Sequence, residues 1–254
     1  MLNVAQKIRE KTMSRKAVLF DCDGVLINTE EIGFRILCEK LAEYDFGYTR
    51  EEYTELVSGV PQNKCIETVR ADFLERKGYE LPEEFGPDLW NALTETFLRE
   101  AQAIEGIREL LQHLRDNNIP YAVCSNSGAT ELIQKLRATG LYDDFMPYIF
   151  SKDHVDNPKP APDMYLDAAK LFGVKPEDCL VVEDSQTGTE AGVAAGMTVI
   201  GFVGEQHRCD HEAEHLMDAG AKLIALSHEQ TWGHVCDFVG LTLRPPFYGK
   251  DLEL

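Results

Sequence analysis

Two aspartates stand two residues apart in Asp21-Cys22-Asp23-Gly24, directly after an apolar run. On extended backbone, side chains at i and i+2 point the same way. Both carboxylates then face one site, and Cys22 faces the other side. Paired carboxylates suit a divided task, one attacking and the other moving protons. Gly24 lets the chain leave in a conformation that other residues resist. The same four residues also make an ordinary cap-and-turn pair, so other groups must join them before they carry chemistry.

Three further polar sets follow apolar runs. Ser125-Asn126-Ser127-Gly128 opens a helical pattern. A hydroxyl, an amide and free backbone N–H groups at a helix start form an anion cradle, or a plain N-cap. Lys159 lies in Asn157-Pro158-Lys159-Pro160-Ala161-Pro162-Asp163, where prolines stiffen the loop and hold the ammonium in place. A fixed ammonium near the cradle would neutralise phosphate charge. Glu183-Asp184-Ser185 sets adjacent carboxylates at the end of a buried strand, which is costly without a cation. Hard oxygen ligands in an incomplete cage suit Mg²⁺, which keeps waters and takes phosphate oxygens.

The elements that position these groups are legible as apolar runs. Ala17-Val18-Leu19-Phe20, Tyr121-Ala122-Val123-Cys124, Tyr148-Ile149-Phe150, Cys179-Leu180-Val181-Val182 and Thr198-Val199-Ile200-Gly201-Phe202 read as strands buried on both faces. Helical stripes lie between them: Ile107, Leu110, Leu111 and Leu114; Leu132, Ile133 and Leu136; Met164, Ala168, Leu171 and Phe172. From residue 106 onward the alternation predicts an α/β fold with a doubly wound parallel sheet, Rossmann-like. Ligands in such sheets bind at the carboxyl ends of strands, which is where all four polar sets fall.

Roughly a hundred residues separate the first two strands, far more than the ~30 of a simple crossover unit. The excess reads as helical. Phe34, Leu37, Leu41 and Tyr44 share one face, Ile66, Val69 and Phe73 another, and Trp90, Leu93 and Phe97 a third. The expected organisation is an α/β core of residues 16–28 and 102–240, an all-helical cap domain of residues 29–101, an N-terminal arm of residues 1–15 and a C-terminal tail of residues 241–254.

Four sets in order at the ends of four strands resemble the haloacid dehalogenase-like superfamily. The likeness is greatest to the branch with a helical cap after the first strand, which holds sugar-phosphate phosphatases and β-phosphoglucomutase. It covers roughly residues 16–203 and is most specific at Asp21-Cys22-Asp23-Gly24-Val25-Leu26, Lys159-Pro160-Ala161-Pro162-Asp163 and Val182-Glu183-Asp184-Ser185. The resemblance implies Asp21 as nucleophile and metal ligand, and Asp23 as acid/base with its carbonyl on the metal. It implies Ser125 and Lys159 as phosphate binders with Asn126 beside them, Asp184 as a second ligand, and Glu183 supporting or ligating. The expected activity is a Mg²⁺-dependent phosphatase working through a phosphoaspartyl intermediate.

A phosphosugar mutase is the alternative, and it needs a second phosphate site. Ser58, Gln62 and Gly33 stand where the mutase pattern has lysine, arginine and histidine, which favours hydrolysis; Lys64 or Arg70 could compensate. Gln62, Asn63 and Lys64 are the first candidates for touching the substrate's hydroxyls. A catalytically idle binding domain on the same fold is a non-enzyme rival. A zinc site at His207, Cys209, His211 and His215 is another, set against a solvated acidic helix.

Asp and Glu outnumber Lys and Arg by 44 to 25, a formal charge of −19. Such a surface repels nucleic acid and anionic lipid. The expected partner is therefore a small phosphorylated metabolite, with no nucleic acid and no membrane, on a monomer or small homo-oligomer. Seven cysteines at irregular spacing read as free thiols of a cytoplasmic protein.

Overall fold

The structure, a computed structural model, describes residues 16–57, 62–204 and 210–241, without the side chains of residues 62, 63, 210 and 211. Six parallel strands form one sheet: β1 (Ala17–Phe20), β2 (Tyr121–Ser125), β3 (Ile149–Ser151), β4 (Cys179–Glu183), β5 (Thr198–Phe202) and β6 (Leu223–Ala225). Their order is β3-β2-β1-β4-β5-β6. The chain winds outward from β1 in both directions, so the crevice at the switch of direction opens over β1 and β4.

Alternation along β1 feeds two cores. Val18 and Phe20 join a cluster with Ile107, Leu110, Leu111 and Leu114 of α5 (Ile107–Asp116) and with Trp232 and Val235 of α11 (His228–Val239). Ala17 and Leu19 join Met164, Tyr165 and Ala168 of α8 (Asp163–Phe172) and Ala191 of α9 (Gln186–Ala194) on the opposite face. All four strand residues are completely buried, as a continuous apolar run in a covered parallel sheet requires.

Between β1 and α5 the described residues form four helices, α1 (Thr29–Ala42), α2 (Arg50–Leu56), α3 (Gln62–Lys77) and α4 (Phe85–Glu100). They bury their own cluster, with Leu37, Leu41, Val69, Phe73, Phe85, Leu89 and Leu93 at its centre. Phe73 makes edge-to-face contacts with Tyr44, Phe46 and Tyr79. The remaining helices are α6 (Ala129–Ala138), α7 (Tyr142–Phe145) and α10 (Asp210–Asp218).

Three details depart from the sequence expectations. Leu171 is exposed, and Tyr165 takes the buried place on α8, because its hydroxyl has a partner inside. Tyr148 lies outside β3. The sixth strand, Leu223–Ala225 at the sheet edge, is not among the apolar runs that read as strands. The arm (1–15), residues 242–254 of the tail, and Ser58, His207 and Cys209 lie outside the described residues, as does the His211 side chain.

The loop leaving Asp23 is anchored from α11. His228, buried and stacked on Phe202 at 4.6 Å between ring centres, donates from Nε2 to the Val25 carbonyl at 2.8 Å. Burial pushes its pKa down to about 4 from the ordinary 6.5, against a smaller upward pull from that carbonyl. The folded protein thus refuses a proton that the unfolded chain accepts, so His228 makes stability fall as pH drops from 6.5 towards 4. His228→Gln is expected to flatten that part of the curve of denaturation midpoint against pH. Parallel curves for the two proteins would exclude the effect.

Candidate active site

Asp21 is the first residue beyond β1, and its N–H is held by the Val182 carbonyl of β4 at 2.9 Å. Cys22 turns into the core, fully buried, while Asp23 stays partly exposed on the other side. Gly24 then adopts φ +76°, a left-handed conformation that side chains resist, and its N–H meets the Ile27 carbonyl at 2.9 Å. The loop therefore turns back at once and keeps both aspartates at the sheet's carboxyl edge.

Lys159 reaches this edge from the proline-rich loop before α8. Its ammonium donates to Asp21 Oδ1 at 2.7 Å, to Glu183 Oε1 at 2.6 Å and to the Cys124 carbonyl at 2.7 Å. Its side chain is 2% exposed. Burial alone would lower its pKa, but Asp21 and Glu183 outweigh burial and raise it well above the usual lysine range. Asn126 fastens the same loop. It donates from Nδ2 to the Lys159 carbonyl at 3.0 Å and accepts the Lys159 N–H at 3.1 Å. The amide expected beside a phosphate is thus committed to holding the lysine's backbone. Ser125, buried at the end of β2, accepts the Ser127 N–H at 3.0 Å.

Glu183 ends β4 with no exposure, and its two oxygens are saturated from within the chain. Oε1 accepts from Lys159 and from the Tyr165 hydroxyl at 2.9 Å; Oε2 accepts from the N–H groups of Asp184 and Ser185 and from the Ser185 hydroxyl. That arrangement suits a support for Lys159 better than a metal ligand. Carboxylate oxygens of Asp21, Glu183 and Asp184 nevertheless lie within 4.8 Å of one another. Burial, and then the neighbouring carboxylates of Glu183, Asp184 and Asp23, push Asp21 well above the carboxylate range, although Lys159 pulls it down. Such a cluster is a place where a cation lowers the energy.

Asp23 has a cation that the sequence reading missed. Lys135 of α6 donates to its Oδ1 at 2.9 Å and to its Oδ2 at 3.2 Å, and Ser127 Oγ donates to Oδ2 at 3.1 Å. Burial would raise the Asp23 pKa, but Lys135, Thr29 and Ser127 lower it below the ordinary value. A signal was present: Lys135 stands beside Leu132 and Leu136 on the buried face of α6, where a lysine needs a partner.

The described part of the helical insert offers little to a distal phosphate. Arg70 is spent on the carbonyls of Leu81, Pro82 and Glu83. A Cβ on Gly33 would lie 2.7 Å from the Tyr53 hydroxyl, so the space that a histidine would need is taken. Lys64 is exposed. The side chains of Gln62 and Asn63 lie outside the described residues.

Gly188 of α9 leaves room for Glu183: a Cβ there would fall 1.7 Å from Oε1. Gly188→Ala is therefore expected to lower the melting temperature by several degrees, as displacing a buried charged network costs about 3–5 kcal/mol. Gly233→Ala on α11, where a Cβ meets nothing within 4 Å, is the control and should stabilise slightly. Equal melting temperatures for the two variants would show that Glu183 moves aside freely.

Residues 18–202 match the family model for haloacid dehalogenase-like hydrolases. The chain is 34% identical over 221 residues to a probable pseudouridine-5'-phosphatase of Drosophila melanogaster, covering 84% of this chain and 91% of that protein. It is 33% identical over 186 residues to the bifunctional riboflavin kinase/FMN phosphatase of Arabidopsis thaliana, covering 72% of this chain but only 47% of that protein, about half its length. Among solved structures, a HAD family hydrolase from Deinococcus radiodurans R1, with bound phosphate and sodium, superposes with a TM-score of 0.82 and 32% identity, covering 91% of this chain and 100% of that one. With the sheet order and the strand-end carboxylates already described, these matches make the chain a member of the haloacid dehalogenase-like hydrolase family.

Proposed function

We propose that the chain is a Mg²⁺-dependent phosphatase that hydrolyses a small phosphorylated metabolite, a sugar or polyol monophosphate, through a phosphoaspartyl intermediate on Asp21. The observation that carries this reading is the Asp21 carboxylate at the sheet's switch point, fixed by the buried Lys159 and crowded by Glu183 and Asp184. Two relatives named as phosphatases and a related structure holding phosphate support it.

The donor set suits Mg²⁺, which takes oxygen ligands and leaves positions for water and phosphate. Asp21, Asp184 and the Asp23 carbonyl would hold it, with Glu183 behind them bracing Lys159. Bound there, the ion supplies the positive charge that lets a carboxylate approach a phosphate dianion.

An oxygen of Asp21 attacks phosphorus, and the bond from phosphorus to the ester oxygen breaks. Lys159, fixed beside Asp21, offsets charge on the transferring group. Asp23 is placed to protonate the departing alcohol oxygen and then to take a proton from the attacking water; Lys135 and Ser127, which hold its pKa down against burial, favour the second role. That water forms the new bond to phosphorus while the Asp21–phosphorus bond breaks, which releases inorganic phosphate and restores the carboxylate. Ser125 and the N–H groups opening α6 are the remaining phosphate contacts. The helical insert acts as the cap, closing over the edge to exclude bulk water.

Hydrolysis is favoured over mutation because Arg70 and the space beside Gly33 are already taken. A mutase must keep a bisphosphate and turn it round, which needs a distal clamp that neither Arg70 nor the Gly33 position supplies.

The test is a panel of sugar and polyol monophosphates assayed for inorganic phosphate. Turnover is expected with Mg²⁺, lost on exhaustive chelation, and reduced to a few per cent at most in Asp21→Asn, whose shape is unchanged. Full activity in that variant, with folding confirmed, would defeat the assignment. A second arm supplies glucose 1-phosphate with a catalytic bisphosphate. Glucose 6-phosphate appearing faster than inorganic phosphate would replace the phosphatase by a mutase.

A further inference from the structure

Lys135 is almost fully buried, its side chain 7% exposed, and lies outside the four strand-end sets. Its ammonium grips both oxygens of Asp23, at 2.9 and 3.2 Å. It also touches Ser127 Oγ at 3.3 Å, which itself donates to Asp23 Oδ2. From the other side Glu131, one turn earlier on α6, holds it at 2.7 Å. The Phe97 ring of α4, in the helical insert, lies 5.3 Å from the ammonium. A lysine on the apolar face of an amphipathic helix costs desolvation, which its pairing with Asp23 and Glu131 offsets. That pairing also fixes where both Asp23 oxygens lie.

We propose that Lys135 is a positioning residue that holds the Asp23 carboxylate in one orientation for accepting the proton of the hydrolytic water. This rests on the phosphatase reading above. A carboxylate on a short side chain turns freely unless both its oxygens are bound, and Lys135 with Ser127 binds both. In the second half-reaction the water's oxygen bonds to phosphorus, its proton passes to Asp23, and the bond from phosphorus to Asp21 breaks with its electron pair returning to the carboxylate. Misplacing a reacting group by about 1 Å costs on the order of a hundredfold. Lys135 meets the insert through Phe97, so the seat of the insert and the orientation of Asp23 share one side chain.

The two half-reactions can be read apart with 4-nitrophenyl phosphate and Mg²⁺. Its leaving group departs without a proton, so forming the phosphoenzyme needs little help from Asp23, while breaking it down still needs the base. In Lys135→Met, kcat is expected to fall about tenfold or more while kcat/KM stays within about threefold, so KM falls with kcat. Nitrophenol should then appear as a burst approaching one equivalent of enzyme, followed by slow turnover. Lys135→Arg, which keeps a charge and two donors, should recover part of kcat.

A parallel fall in kcat and kcat/KM, or no change in either, overturns the proposal. If Lys135→Met does not fold, Lys135→Gln is read by the same criteria; if neither folds, the lysine is a structural ion-pair partner and the proposal fails. Failure of the phosphatase reading shows separately: the wild-type protein would release no nitrophenol, or Asp21→Asn would release it as fast.

Discussion

The site is organised round one buried ammonium. Lys159 makes three short hydrogen bonds, to Asp21, Glu183 and the Cys124 carbonyl, which tie together the ends of β1, β4 and β2. An ammonium taken out of water costs several kcal/mol unless charged partners replace its hydration. The two carboxylates supply that replacement, and they are themselves bearable in the interior only because the lysine is there. Each member therefore needs the others. Asn126 fixes the backbone of Lys159, Tyr165 and Ser185 fill the remaining valences of Glu183, and Gly188 yields the space in which Glu183 lies. None of these supporting groups need touch a substrate, yet the position of Asp21 depends on all of them.

The sheet explains why the cluster can exist at this point. Strands leaving β1 in opposite directions open a crevice at their carboxyl ends. Loops from four strands converge there, so groups far apart in sequence meet: Asp21 and Lys159 are 138 residues apart, and Asp23 and Lys135 are 112 apart. The helical insert leaves this edge just after Asp23 and returns near residue 103, where Ile27 and Ala103 form an antiparallel bridge. It buries its own apolar cluster, so it need not draw on the core beneath it.

Much of this was legible in the sequence because strand-end chemistry is local. An apolar run ending in Asp21, Ser125 or Glu183 says that a strand delivers a polar group to an edge. Five of six strands and the helical character of the insert follow from apolar periodicity. Pairwise commitments were not legible. The sequence puts Asn126 beside the phosphate binders and leaves Glu183 supporting or ligating; it does not show the Asn126 amide clamping the Lys159 backbone or the five donors on Glu183. Lys135 was hidden for another reason: its partner is set by tertiary packing, and a lysine on a helix is ordinarily solvated. Only its place between Leu132 and Leu136 marked it out.

Charge counting gives the site its last constraint. Asp21, Asp23, Glu131, Glu183 and Asp184 bring five negative charges, and Lys135 and Lys159 bring two positive ones; five minus two leaves three uncompensated. An anion meets that excess on a chain already carrying −19. Burial and the carboxylates of Glu183, Asp184 and Asp23 push the Asp21 pKa up against the pull of Lys159, so added positive charge there favours the charged form. A divalent cation held among Asp21, Glu183 and Asp184 would offset part of that deficit and favour the charged form of Asp21. The same carboxylates that repel an anion are thus those that would attract a cation, and Lys159 balances part of their charge.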